Sequence, residues 1–210
     1  MSQYPQMVVS SDTDHQPESE LKWLLEQMKE RENNLTSLAA HFMQTKKTRL
    51  LREPLQSKGQ IYYNSTGKML VKVTSPSLVM VLIKNGVILT YYPDLSRAEE
   101  RYLGSNIIRK YFGIGMSIDE LRKQYKIEIV SKIPGNGYRL KLTPVTETIA
   151  KRIDIIEIET KPPQWLPEYI FFKEKGGDST AIRLKFTSIN RSLPENIFTI
   201  TIPKDQREEH

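Results

Sequence analysis

From Gly59 to Ile202 the apolar residues return at every second position, one short segment after another, with turn residues between them. Two amphipathic helical stretches precede this run. Such alternation gives a strand one apolar and one charged face, and the apolar side of an antiparallel sheet has to be buried against something. When little helix is available to cover a large sheet, part of the apolar face is left over as a hollow suited to an apolar ligand. The pattern therefore points to a chain that carries something hydrophobic.

A length of 210 residues suits one domain with a sizeable core. Residues 1–17, rich in Ser, Asp, Gln and Pro, read as a flexible leader, 18–204 as the single folded domain and 205–210 as a tail. No apolar run approaches the roughly 20 residues of a membrane-spanning helix. Met1 to Pro17 lacks both the basic start and the apolar centre of a secretory signal, which leaves a cytosolic protein or a mature chain restarted at Met1. The absence of cysteine excludes disulfides and thiolate metal sites. A formal charge of +6 invites nucleic acid or an anionic surface as partner, but most cations alternate with acids, as in Arg97-Ala98-Glu99-Glu100-Arg101. Only Lys46-Lys47-Thr48-Arg49 with Arg52 forms a local basic run, and a solvated face accounts for it.

Ser19 is placed to cap a helix whose Leu21, Leu24, Leu25 and Met28 form one stripe, and Leu35, Leu38, Ala39 and Phe42 repeat that spacing in a second helical stretch. The sheet is expected to open at Gly59. Met69, Val71 and Val73 alternate with Lys72 and Thr74, and Asn85-Gly86 joins Val79–Ile83 to Val87–Tyr92 as a hairpin. Between Leu95 and Gln124 the spacing turns helical: an amphipathic Asn106–Phe112, a break at Gly113-Ile114-Gly115, then a capping box at Ser117 with Glu120. Further hairpins surround Pro134-Gly135-Asn136-Gly137 and Lys175-Gly176-Gly177-Asp178. A change of phase between Ile153/Ile155 and Ile156/Ile158 calls for a bulge, and Phe198, Ile200 and Ile202 read as a closing strand.

Catalytic constellations are scarce. The histidines are His15, His41 and His210, two of them in the tails, and no nucleophile elbow, P-loop or zinc motif is present. Gly113-Ile114-Gly115 lacks the third glycine and the parallel strand of a dinucleotide fingerprint, and the acidic pairs Glu99-Glu100 and Asp154/Glu157 lie on charged faces. Neither a metal nor a cofactor is expected. The aromatic residues, with Met69, Met80 and Met116, suit an adaptable apolar lining, since methionine reshapes easily.

In their order and spacing several segments resemble the LolA family of periplasmic lipoprotein carriers, over about Leu21 to Pro203. They are Leu35-x-x-Leu38 leading to Phe42-Met43-Gln44 and Lys46; Ser57-x-Gly59-x-Ile61-x-Tyr63; Val73-Thr74-Ser75-Pro76; Ile83-Lys84-Asn85-Gly86-x-x-Leu89 with Tyr91-Tyr92-Pro93-Asp94-Leu95; Tyr138-x-Leu140-x-Leu142-x-Pro144; and Phe186 to Asn190 followed by Phe198 and Pro203. The resemblance implies an α+β fold, an incomplete, half-open antiparallel β-barrel with covering lid helices. It implies no enzymatic activity. Its interior would shield the acyl chains of lipoproteins crossing the periplasm, loaded by an inner-membrane ABC transporter of the LolCDE type and unloaded to a LolB-type receptor or the outer membrane, with the signal peptide already removed. By that analogy Met69, Val71, Val73, Leu89, Tyr91, Leu140, Leu142, Ile182, Leu184 and Phe186 line the cavity, while Leu24, Leu25, Leu38, Phe42, Ile108 and Phe112 form the lid. A monomer suits such a shuttle. In the proteobacterial carriers of that family an arginine just after the first sheet strand holds the lid, where this chain has Tyr63-Asn64-Ser65-Thr66. Two alternatives stand beside this reading: a carrier or sensor of free lipid or glycolipid on the same half-barrel, and a small-molecule enzyme using Tyr91 or Arg97.

Overall fold

The computed structural model describes residues 16–102 and 117–202. The expected leader up to residue 15, the amphipathic stretch 106–112 with Ile108 and Phe112, the Gly113–Gly115 break, Met116 and the tail beyond residue 202 lie outside them. Eleven antiparallel strands form one sheet: β1 (Ser37–Lys47), β2 (Leu55–Asn64), β3 (Met69–Ser75), β4 (Val79–Lys84), β5 (Val87–Tyr92), β6 (Arg97–Tyr102), β7 (Tyr125–Ile133), β8 (Gly137–Pro144), β9 (Ile153–Thr160), β10 (Pro167–Glu174) and β11 (Ser179–Ile189). Their spatial order is β6-β5-β4-β3-β2-β1-β11-β10-β9-β8-β7. Two meanders are thus fused where β1 pairs with β11, and among the described residues β6 and β7 are the two ends of the sheet and do not pair with each other. Among the described residues the α-helices are α1 (Gln16–Asn33), α2 (Ile118–Gln124) and the single turn α3 (Glu147–Ala150).

Local chemistry explains the hairpins. Asn85 and Gly86 both hold positive φ, 53° and 75°, as a two-residue hairpin turn demands. Gly135 and Asn136 do the same at 82° and 56° between β7 and β8. The expected bulge is present: Lys173 pairs with Ile155 and Glu174 with Ile153, so Asp154 is the extra residue that brings Ile153 back into phase with Ile156 and Ile158. At Ser117 the capping box is complete, with Ser117 Oγ accepting from the Glu120 amide and Glu120 Oε2 accepting from the Ser117 amide, both at 3.2 Å.

Several expectations are corrected. The stretch around Leu35, Leu38, Ala39 and Phe42 is not a helix: from Ser37 onward it is β1, the strand flanked by β2 and β11. Its first four residues are buried on both faces, so the apolar positions fill a helical template as well as a strand one. Gly59 lies in the middle of β2 rather than at the start of the sheet. A Cβ there would stand 2.0 Å from the Lys72 carbonyl oxygen and 2.8 Å from Phe42 Cε1, so glycine is what lets the Phe42 ring lie against its β2 partner. Arg97–Tyr102 pairs with β5 as a strand instead of joining the helical stretch. The Phe198 segment is no strand either: residues 195–198 make a 3-10 turn, and Leu193, Ile197, Phe198 and Ile200 pack over Leu70 and Leu82 on the outer face. Ser19, expected as a cap, lies inside α1, which starts three residues earlier.

Candidate functional site: the concave face of the sheet

Register fixes which side chains share the inner face, because directly paired residues point the same way. One row runs Phe42, Leu184 and Gly59; the next runs Ala40, Ile61, Val71 and Val81; a third runs Leu38, Tyr63, Met69, Ile83 and Ile88. Phe42, Ile61, Met69, Val71, Ile83 and Leu184 from these rows are buried at the centre of one apolar cluster, with Tyr63, Val81 and Ile88 packed against it. Within it is a cavity of about 170 Å³, walled by Phe42, Ile61, Val71, Val73, Val81, Ile170, Ile182 and Leu184. The polar residues in its wall are Gln44 and Ser57, register partners near the ends of β1 and β2.

Beside this cavity the sheet continues under a cover. Leu24, Leu25 and Met28 of α1 and Ile118 and Leu121 of α2 pack onto Leu140, Leu142 and Ile158. The register row Ile182, Ile170, Ile158, Leu140 links the two regions: its first two members line the cavity and its last two lie beneath α1. The apolar floor is therefore continuous, and α1 and α2 cover its Leu140–Leu142 end.

The polar contacts that hold the cover are peripheral. Tyr138 Oη donates to Glu20 Oε1 at 2.9 Å and Lys132 Nζ approaches the same oxygen at 2.8 Å, which holds the Glu20 carboxyl below its usual range, the lysine first and the tyrosine second. Burial pushes the Tyr138 hydroxyl upward, and its bond to Glu20 adds to that. Lys29 pairs with Asp119 of α2 at 2.6 Å and keeps that carboxyl low. Arg31 donates to the Gln164 carbonyl at 2.8 Å and to its side chain. Solvent-exposed pairs of this kind fasten the cover only weakly, because water and salt screen them. Trp23 closes the flank edge to face against both Trp165 and Tyr138, at centroid distances of 5.5 and 6.3 Å, while the Tyr138 and Trp165 rings lie tilted to each other.

The residues expected in the cavity fall into three places. Met69, Val71, Val73, Ile182, Leu184 and Phe186 share the central inner cluster. Leu140 and Leu142 lie under α1. Leu89 and Tyr91 are on the other face: Leu89 pairs with Leu82 in the outer cluster beneath Phe198, and Tyr91 pairs with Met80. The inward residue of β5 is Ile88. Of the expected lid residues, Leu24 and Leu25 are on α1, whereas Leu38 and Phe42 belong to the sheet wall. Ile61, Val81 and Ile170 were not singled out from the sequence, although Ile61 alternates with Gly59 and Tyr63 in the expected first strand. His41, the one histidine among the described residues, is exposed on β1 between Lys185 and Gln60. Among the described residues no group of three or more histidines or carboxylates could hold a metal ion, and no helix is long and apolar enough to cross a membrane.

An open antiparallel half-barrel whose concave face is apolar, hollow at the centre and partly covered by helices defines a structural class. Within that class the chain belongs to the family of the outer membrane lipoprotein carrier protein LolA, whose model matches residues 33–201. Solved structures share the fold at low identity. An uncharacterized conserved protein from Thermus thermophilus superposes with a TM-score of 0.57 at 10% identity, covering 90% of this chain and 97% of that one. The Mycobacterium tuberculosis lipoprotein LppX gives 0.54 at 12%, covering 84% and 98%. MucB in its complex with MucA from Pseudomonas aeruginosa gives 0.50 at 11%, covering 87% and 61%. No curated protein matches the sequence.

Proposed function

We propose that this chain is a periplasmic, non-enzymatic carrier that takes the acyl chains of lipoproteins into its concave face, receiving them from an inner-membrane transporter and delivering them to an outer-membrane receptor or membrane. The observation that carries the reading is the apolar floor, half hollow and half under α1, in a chain of the LolA family. The hollow of about 170 Å³ is smaller than the roughly 300–1,000 Å³ of ordinary ligand sites. A long acyl chain therefore fits only if α1 gives up Leu140 and Leu142. Each enclosed methylene stabilises the complex by about 0.8 kcal/mol, and the lost contacts of α1 offset part of that. Weak polar fastenings on α1 and the absence of an arginine at Asn64-Ser65-Thr66 agree with a cover held by packing rather than by a latch.

The test is native mass spectrometry of protein purified from a membrane-containing extract. A co-purifying triacylated lipoprotein supports the carrier role; free phospholipid or fatty acid alone replaces it with a lipid carrier on the same fold; an empty cavity that takes up no acyl probe after purification rejects both.

A further inference from the structure

The two ends of the half-barrel differ in chemistry. Because the strands are joined as meanders, the β1–β2 loop, the β3–β4 and β5–β6 connections, the β8–β9 connection and the β10–β11 turn all fall at one rim. Five large apolar residues exposed to solvent sit there: Leu50, Leu51, Leu55, Leu95 and Val145, with Leu50 92% exposed. The opposite rim carries the polar turns at Asn64–Gly67, Asn85-Gly86 and Gly135-Asn136 and the connection 161–166, and its exposed apolar side chains are aromatic rather than aliphatic: Tyr102 at the end of β6, and Trp23 against Trp165.

The β1–β2 loop combines its leucines with the basic run of the sequence. Lys46, Lys47, Arg49 and Arg52 face a single acid, Glu53, within residues 46–55, and none of the four cations has an ion pair among the described residues. The loop is held in place. Asp178 Oδ1 in the β10–β11 turn accepts from the Arg49 amide at 3.1 Å, and the Arg49 side-chain stem passes so close to Gly177 that a Cβ there would stand 3.1 Å from Arg49 Cδ. Fixed leucines in water beside unpaired cations are the composition of an interfacial membrane anchor: apolar side chains for the acyl boundary and cations for the headgroups. Lys46 pairs with Leu55 two positions beyond Gln44 and in the same phase, so both stand above the Gln44–Ser57 end of the cavity.

We propose that this rim docks on an anionic bilayer surface through the β1–β2 loop, Leu50, Leu51 and Leu55 entering the headgroup boundary while Lys46, Lys47 and Arg52 engage lipid phosphates. Its purpose rests on the carrier reading, because docking there would set the mouth of the cavity against the membrane where acyl chains leave or arrive.

The experiment is flotation of the full chain with protein-free vesicles of phosphatidylcholine alone or of equimolar phosphatidylcholine and phosphatidylglycerol. Uptake of a dansylated fatty acid is measured in parallel without vesicles. The wild type is expected to bind the anionic vesicles preferentially and to release as salt shortens the screening length. Lys47→Gln with Arg52→Gln should weaken binding by about fivefold per cation, and Leu50→Asp with Leu51→Asp should abolish it, with melting temperature and probe uptake unchanged because these side chains are exposed. No binding to either vesicle, equal binding to both, or binding unaffected by the leucine substitutions overturns the proposal. Binding to membranes only when their proteins are retained overturns it in favour of a protein receptor. Loss of probe uptake by the wild type rejects the carrier reading instead and leaves the vesicle result standing.

Discussion

Truncating Leu24 separates a movable cover from a permanent one. Leu24 is 0% exposed and packs with Leu140, Leu142 and Ile158. Such a Leu→Ala change costs about 2–5 kcal/mol; at about 3 kcal/mol the melting temperature of a chain this size falls by roughly 6–12 °C. If an acyl chain displaces α1 from Leu140 and Leu142, the substitution weakens the empty state and leaves the loaded one untouched. The affinity of the ligand then rises, by as much as about 100-fold at 1.4 kcal/mol per factor of ten. Leu70→Ala is the control: Leu70 is comparably buried, but on the outer face beneath Phe198, where a similar loss of stability should leave affinity unchanged. Delipidated proteins titrated with a dansylated fatty acid, alongside thermal melts, give both quantities. An affinity for Leu24→Ala that stays within twofold of wild type, or falls, while the melting temperature drops as expected refutes the displacement of α1.

The native tryptophans report the same event: saturating the wild type with palmitate should change the emission of the Trp23–Trp165 pair, and Trp23→Phe should remove that change, whereas a silent wild type speaks against movement of α1. Ile170→Trp, placed where the cavity meets the covered floor, should cost about 1–3 kcal/mol of stability and block palmitate while sparing octanoate; unchanged palmitate binding would show that the chain does not follow the Ile182–Leu140 row. Gly59→Ala should destabilise by at least about 2 kcal/mol, since its methyl group meets a backbone carbonyl and the Phe42 ring; a melting temperature equal to wild type contradicts the packing described. Asp154, at the β9 bulge, is held below the ordinary aspartate range by Lys175 first and Lys173 second. Its contribution is complete above the ordinary aspartate pKa and fades as pH falls through the depressed folded value, so a carboxyl NMR titration should give a midpoint below that of free aspartate that rises in Lys175→Gln.

The parts of the fold legible in the sequence are those governed by local chemistry. Asn85-Gly86, Gly135-Asn136 and Gly176-Gly177 each mark a hairpin, and the Ser117 capping box marks the start of α2. What failed was decided by distant partners. Leu38, Ala39 and Phe42 suit a helix until β1 is placed between β2 and β11, where a strand can be buried on both faces. In β4 and β5 both phases are apolar, so periodicity could not say whether Ile88 or Leu89 points inward. The answer depends on Phe198, more than a hundred residues away, covering the outer face. Pairing of β1 with β11, which fuses the two meanders, leaves no local trace at all.

Placing Leu38 and Phe42 in the wall rather than on the cover changes how a carrier of this shape would work. The wall is rigid: β1 is hydrogen-bonded on both sides along its length, and Thr187 Oγ1 donates to the Ala39 carbonyl at 3.1 Å where the register slips. The described cover lies on the β7–β9 side, so in the proposed carrier its displacement would lengthen the existing cavity along the Ile170–Ile158–Leu140 row. Leu24, Leu25 and Met28 together contribute about 5–9 kcal/mol of burial when α1 is seated, comparable with the roughly 10 kcal/mol from a dozen enclosed methylenes. Neither occupant of the floor dominates, and a small additional bias decides between them.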